Sequence, residues 1–343
     1  MAHPSGAGPR PDAAAPAEIP PPRTRVWRAG KLEAEGFPVA EVSDYLDQDD
    51  TVVWVDLCAP QRADFQVISD ELGLDPVAAE DAVSRHERAK IDRYERYAFL
   101  NVYVPRVEDG ELELDEVSAF LAERALVTVR QGPGFDIDAL VRRWDESPGV
   151  DIGETGAGYL LYGLLDLVVD LQLGAVQSLD DEADEVESMI FDEAFPVREI
   201  QRRSFRLRKN LVALRRVALP MREVVNTLLR RDLRMVAPAL APYLQDVYDH
   251  TLRVGEWTDS LRDLVANLLD TRIALQGNRM NEVMKKVTSW AAIIAVPTAV
   301  TGFYGQNVPY PGFSSHSGFI VSSVIIVVCS LGLYAVFKRR DWL

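Results

Sequence analysis

The reading turns on Asn278–Pro309, NRMNEVMKKVTSWAAIIAVPTAVTGFYGQNVP, where a polar, basic segment gives way at Val287 to residues without formal charge. The uncharged run continues to Phe337 without one Asp, Glu, Lys or Arg. A helix needs about 20 apolar residues to cross the ~30 Å hydrocarbon core, so the run holds two crossings and a short connection. That connection is legible as Gln306–Ser317, QNVPYPGFSSHS, whose prolines, glycine and small polar residues stop helices. The spacing predicts spans at 288–305 and 318–337, an external loop at 306–317 and a basic tail at 338–343. Lys285 and Lys286 precede the first span, and Lys338, Arg339 and Arg340 follow the second. Positive residues flank membrane helices on the cytoplasmic side, so both termini are expected there, in a multi-pass protein of the cell membrane.

Outward from the membrane, the chain has 343 residues, a net charge of −16 and 48% hydrophobic side chains. Such a length suggests two domains, and the apolar share is too high for a disordered chain. A mean hydropathy of −0.06 looks soluble only because a polar part is averaged with the charge-free run. The acid excess lies before residue 287 and argues against nucleic acid as a partner, which would call for a basic face. Cys58 and Cys329 stand too far apart in sequence to suggest a metal-ligand spacing or a disulfide framework.

Residues 1–24 are rich in Pro, Ala and Gly and read as a disordered tail without the apolar core of a signal sequence. Residues 25–150 read as a cytoplasmic α/β domain. Thr51–Leu57, Tyr97–Val104, Val117–Leu121 and Ala125–Arg130 are β-rich, and Ala63–Leu72 and Pro76–Val83 are helical in pattern. Residues 151–240 suggest a helical hairpin. Gly158–Phe191 turns acidic in its second half, and Val197–Arg234 is basic, which suits antiparallel packing with cross-helix ion pairs or simply two solvated faces. From Ala241 the pattern stays helical, as a stalk over 241–287 that runs into the first span. Val247, Val254, Leu261, Leu268 and Leu275 recur every seven residues, as in a helix packed along another helix. At 1.5 Å per residue, a helix from Ala241 to Gly305 is on the order of 100 Å long. Packing around copies of itself would account for such a length.

Asn281-Glu282-Val283-Met284-Lys285 and Tyr304-Gly305-Gln306-Asn307 bracket the first span. Trp54-Val55-Asp56-Leu57, the run Leu72–Val104, Asp246-Val247-Tyr248-Asp249-His250 and the ending Lys338–Leu343 complete a set of landmarks. In this order, over about residues 25–343, they resemble the CorA family of magnesium channels and transporters, with Gln306 where the family's Gly-Met-Asn has methionine. The resemblance implies an α+β fold: a cytoplasmic α/β funnel domain, a long helical stalk and two C-terminal transmembrane helices. It also implies a homopentamer whose first spans line one pore. Mg2+ would be the transported and the regulatory ion, with no covalently bound cofactor; Co2+ and Ni2+ are further candidate cargo.

Magnesium sheds its water reluctantly and prefers oxygen ligands, and conduction requires binding weak enough for release. Neutral amide oxygens at the mouth, from a ring of Asn307, suit a hydrated ion, and Gly305 allows close backbone approach. Below it, Asn281, Met284, Val287 or Thr288, Ala291, Ala295 and Thr298 recur at intervals of three or four, on one helical face. Small and apolar residues at such intervals also suit plain helix packing. By the resemblance, Asn281, Thr298 and Asn307 are polar rings, Gly305 and Gln306 belong to the selectivity mouth, and Met284 and Val287 form part of an apolar gate. Ala295 stands where a bulky gate residue is usual, with Val296 as its neighbouring substitute. The external loop has no carboxylate to gather cations.

Regulatory Mg2+ between subunits would fall to Glu80 and Asp81 on the α/β domain and Asp246 on the stalk, each otherwise a surface acid. Influx would be driven by membrane potential, worth about 2.3 kcal/mol per charge per 100 mV. An enzyme is disfavoured, since no Gly-rich phosphate loop, HExxH or GxSxG occurs and His3, His86, His250 and His316 form no ligand pair. The alternatives are a zinc transporter like ZntB and a membrane-anchored Mg2+ sensor that does not conduct.

Overall fold

The computed structural model describes residues 20–84, 88–146, 152–192, 195–230, 235–306, 309, 312–313 and 315–343. The tail through residue 19, Asn307 and Tyr310 lie outside the described residues. The chain separates into two units, one ending at Val265 and one spanning Ala266–Leu343.

The first unit opens with β1 (Arg23–Arg28), β2 (Lys31–Glu35), α1 (Val42–Leu46), β3 (Thr51–Cys58), α2 (Arg62–Leu72) and α3 (Pro76–Val83). Then come β4 (Lys90–Arg93), β5 (Tyr97–Glu108), β6 (Glu111–Ala122), β7 (Ala125–Arg130), α4 (Ile137–Glu146) and the single turn α5 (Ile152–Thr155). The long helices follow: α6 (Ala157–Phe191), α7 (Val197–Leu229) and α8 (Ala241–Tyr304). The strands form one sheet in the order β2-β1-β3-β7-β6-β5-β4. Among its ladders β3 and β7 run parallel, with Val55 opposite Val127; the others are antiparallel.

Every residue of β3 is buried, as expected of a strand covered on both faces. Alternation assigns the layers. Val53, Val55 and Leu57 join Phe99, Phe120 and Val127 in a core beneath α2 and α3. Trp54 points the other way and joins Leu100, Leu121 and Leu126 in a larger core with α4, α6, α7 and the start of α8. Trp144 of α4 lies 4.9 Å from the Trp54 ring, edge-on, and its indole donates to the Leu160 carbonyl. It can approach because Gly163 has no side chain: a Cβ there would meet the indole nitrogen at 2.5 Å.

Asp56, within the WVDL landmark, is 1% exposed and accepts Arg130 through both carboxylate oxygens, with Thr128 as a further donor. Its role is structural, tying β3 to β7. Opposite charges on α6 and α7 do pair, Glu182 with Arg206 at 2.7 Å and Glu185 with Arg203 at 2.9 Å, and Arg215 of α7 reaches Asp259 of α8 at 2.6 Å. Val247, Val254 and Leu261, the seven-residue repeat, sit in the core built by α6 and α7. Leu268 is buried too, but Leu275 is 38% exposed, so the repeat serves the fold only in its earlier turns.

Three expected boundaries move. The tail does not extend to 24, because Arg23 and Thr24 already pair with β3. The basic helix ends at Leu229, where Arg230 turns to extended backbone; residues 231–234 lie outside the described residues. The external loop is shorter than 306–317, because α9 (His316–Arg339) begins two residues earlier than the expected span, at a Ser315 whose backbone is extended. The second unit holds the later turns of α8 and the whole of α9. Stalk and first span are one uninterrupted helix, including Pro297.

Candidate functional site

Three helices are long and apolar enough to cross a membrane, within Ala157–Phe191, Pro238–Tyr304 and His316–Arg339. They divide by burial. The apolar window of α6 is 67% buried inside the first unit and belongs to its core, whereas those of α8 and α9 are 6% and 0% buried. Ile294, Phe319, Val328 and Leu331 are each more than 60% exposed, surface that lipid or other protein must cover.

On α8 the exposure follows the expected row. Asn281, Met284, Val287, Thr288, Ala291, Ala295 and Thr298 are all exposed, while Ser289 is buried and Ile293, Val296 and Pro297 are half-buried. The chain therefore covers one side of this helix and leaves the proposed pore side open. Ala295, rather than Val296, falls on the open row. Side-chain hydroxyls turn back onto the helix around the proline: Thr298 Oγ1 donates to the Ile294 carbonyl at 3.1 Å and Thr301 Oγ1 to the Pro297 carbonyl at 2.8 Å. Such bonds satisfy carbonyls where Pro297 lacks an N–H.

The helix closes at Gly305, whose N–H donates to the Thr301 carbonyl at 2.8 Å, and Gln306 follows with a looser bond to Phe303. A Cβ at 305 would sit 2.9 Å from the Thr301 oxygen, so the turn leading to the mouth accepts glycine and resists anything larger.

The candidate sensor acids fall in two neighbourhoods. Asp81 accepts Lys90 at 2.8 Å, and Glu80, well exposed, stands 3.9 Å from Arg62. Burial works against the Lys90 charge, but hydrogen bonds to Asp81 and Asp92 outweigh it and raise its pKa. A cation arriving at Asp81 thus competes with an ammonium already in place.

Asp246 keeps different company. Asp166 of α6, Asp246 and His250 each offer a ligand atom, all within 4.8 Å of one another. Asp166 is nearly buried and is held by Arg143, which also reaches Asp170 at 2.8 Å. His250 Nδ1 is shut off from solvent and has no hydrogen-bond partner. Tyr162 donates to Asp166 at 3.4 Å; burial, reinforced by the Asp166 charge, pushes its hydroxyl up to about 12. Two carboxylates and an imidazole nitrogen can hold a divalent cation, with the nitrogen favouring transition metals over magnesium. Sequence reasoning had missed Asp166 and His250. The available signals were the four-residue step from Asp246 to His250 and an acid inside the apolar run LLYGLLDLVV.

Comparison with known proteins places this geometry in context. The model of the family described as CorA-like Mg2+ transporter protein matches residues 49–339. The cobalt/magnesium transport protein CorA of Thermotoga maritima is 31% identical over 317 residues, covering 91% of this chain and 90% of that protein. The zinc transport protein ZntB of Yersinia pseudotuberculosis is 25% identical over 232 residues, with 67% and 69% covered. The complete structure of the CorA magnesium transporter from Methanocaldococcus jannaschii superimposes with a TM-score of 0.77 at 21% identity, covering 93% of this chain and 98% of that one.

Proposed function

The chain belongs to the family of CorA-like Mg2+ transporter proteins, and from that premise we propose that it carries Mg2+, and also Co2+, inward through a pore lined by α8 of several copies. Membership of a transporter family sets it apart from enzymes. The observation that carries the reading is the open row from Asn281 to Thr298, uncovered by the chain's own residues on a helix that is covered elsewhere. One copy cannot enclose a path with a single row, so several copies, a homopentamer by family resemblance, complete the wall. Gly305, Gln306 and Asn307 form its outer mouth, where amide oxygens contact a hydrated ion without holding it. Met284 and Val287 form the apolar constriction towards the cytoplasm, between the polar rings of Asn281 and Thr298. Lysines and arginines at 285, 286 and 338–340 keep both membrane ends of the pair cytoplasmic.

Cytoplasmic Mg2+ closes this pore by binding better to the closed arrangement than to the open one. Asp246 is the central ligand, with Asp81 and Glu80 reaching it from a neighbouring copy. Influx is driven by the inside-negative potential.

The likeness to ZntB and the imidazole beside Asp246 favour a second reading, zinc transport. Uptake of Mg2+, Co2+, Ni2+ and Zn2+ into proteoliposomes under an inside-negative potential separates the two. Mg2+ entry that follows the potential supports the first. Zn2+ entry that follows a proton gradient, with little Mg2+, selects the second. Intact oligomers passing no ion would leave a Mg2+ sensor that does not conduct.

A further inference from the structure

Helix α9 ends in a defined way. Asp341 takes the left-handed conformation, φ 54°. The Trp342 N–H donates across the turn to the Phe337 carbonyl at 3.0 Å, and the Arg340 N–H donates to Val336 at 3.1 Å. This is a Schellman closure, whose usual companion is an apolar contact between the residues it brings together. Here the Phe337 and Trp342 rings stack, 5.7 Å apart with 7° between their planes. The direction of the indole is thus set by the cap, not left to a loose end.

That direction leads to α8. Trp342 forms one wall of a concavity whose opposite wall includes Asn281, Met284, Lys285 and Thr288. On a helix of 3.6 residues per turn, this wall and the open row are adjacent and share Asn281, Met284 and Thr288 at their border. We infer that Trp342 is a positioning residue for the gate: the cap of α9 holds the indole against the side of α8 next to the open row and so sets the rotation at which Met284 and Val287 face the pore. The assignment of Met284 to a gate rests on the proposed function; the packing of Trp342 against 278–288 does not. Aromatic residues also sit at membrane surfaces as simple anchors, a role that would leave α8 unaffected.

The test uses the full chain in lipid, as wild type, Trp342→Ala and Trp342→Phe, with two readouts: amide hydrogen exchange over 278–288 and the internal Mg2+ concentration that halves Mg2+ uptake. The expected result is exchange raised roughly tenfold by Trp342→Ala over that stretch. The half-inhibiting concentration should move by about threefold or more, with Trp342→Phe restoring both. Unchanged exchange in Trp342→Ala overturns the inference, whatever happens to yield or insertion. So does raised exchange with unchanged inhibition in a conducting protein. If the wild type passes no Mg2+, the proposed function fails on its own, and the exchange measurement still decides whether Trp342 packs on α8.

Discussion

His250 Nδ1 lies 3.9 Å from Asp246 Oδ2, one helical turn along α8, in a position closed to solvent and without a hydrogen-bond donor or acceptor opposite it. Asp166 of α6 completes the group. A nitrogen ligand left unpaired beside two carboxylates is poised for a cation, and its chemistry discriminates among cations. Oxygen-seeking magnesium gains little from an imidazole, whereas cobalt and nickel gain much.

His250→Ala is therefore expected to weaken Co2+ binding by roughly tenfold while leaving Mg2+ within about twofold. Asp246→Lys, which places a cation in the group, should weaken both ions and loosen closure by internal Mg2+. Thermal shifts of the full-length protein titrated with each ion check the first part, and Mg2+ inhibition of uptake the second. Equal losses for the two ions in His250→Ala would mean that the imidazole is not a ligand.

The Asp56–Arg130 pair makes a different demand, because both side chains are almost wholly buried. Asp56→Ala would strand the guanidinium in the core between β3 and β7, at a cost of about 3–5 kcal/mol. Asp70→Ala, on the exposed side of α2, should stay within about 0.5 kcal/mol. Thermal melts of the two variants against wild type check the contrast. A mild effect at Asp56 would show that water reaches Arg130 after substitution.

What was legible in the sequence follows what is encoded locally. The charge-free run, the basic flanks and the continuous stalk pattern are properties of neighbouring residues, and α8 and α9 follow from them. The edge strands were not legible. Lys31–Glu35 and Lys90–Arg93 are short and mostly polar, because an edge strand faces water and carries charge. Helix α4 escaped notice as well, although Ile137, Leu140, Val141 and Trp144 form its buried stripe. The repeat from Val247 to Leu261 was correctly a helix-packing signal, but a period of seven does not name the partner, which is the chain's own α6 and α7 core. The group around Asp246 was out of reach for the same reason: 80 positions separate Asp166 from it, and only the fold brings them together.

Tyr162 offers a test by pH. Its hydroxyl titrates near 10 when unfolded and is pushed up to about 12 in the folded protein, first by burial and then by the Asp166 charge. The folded state holds this proton more tightly, so the contribution is complete below pH 10 and is lost as pH rises towards about 12. Stability to urea should fall over that window, and Tyr162→Phe should make the fall shallower. Tyr94 and Tyr97, also raised by burial, would keep part of the slope. An identical slope in Tyr162→Phe would show that its hydroxyl is as well solvated folded as unfolded.

Gly305 gives the sharpest test of the mouth. A Cβ there would stand 2.9 Å from the Thr301 carbonyl oxygen, which already accepts the Gly305 N–H. Backbone, not a flexible side chain, is the obstacle, so Gly305→Ala must displace the last turn of α8 and with it Gln306 and Asn307. Gly332→Ala in α9 is the control, since its Cβ would meet nothing within 4 Å. If selectivity depends on amide oxygens fixed at the end of α8, Gly305→Ala should cut Mg2+ uptake by roughly tenfold or more with assembly intact, as small misplacements do at sites of fixed geometry. Gly332→Ala should conduct like wild type. Asn307→Ala should abolish uptake in the same assay, again without loss of the oligomer. Normal uptake in both mouth variants would move the selective constriction inward, to the row between Asn281 and Thr298.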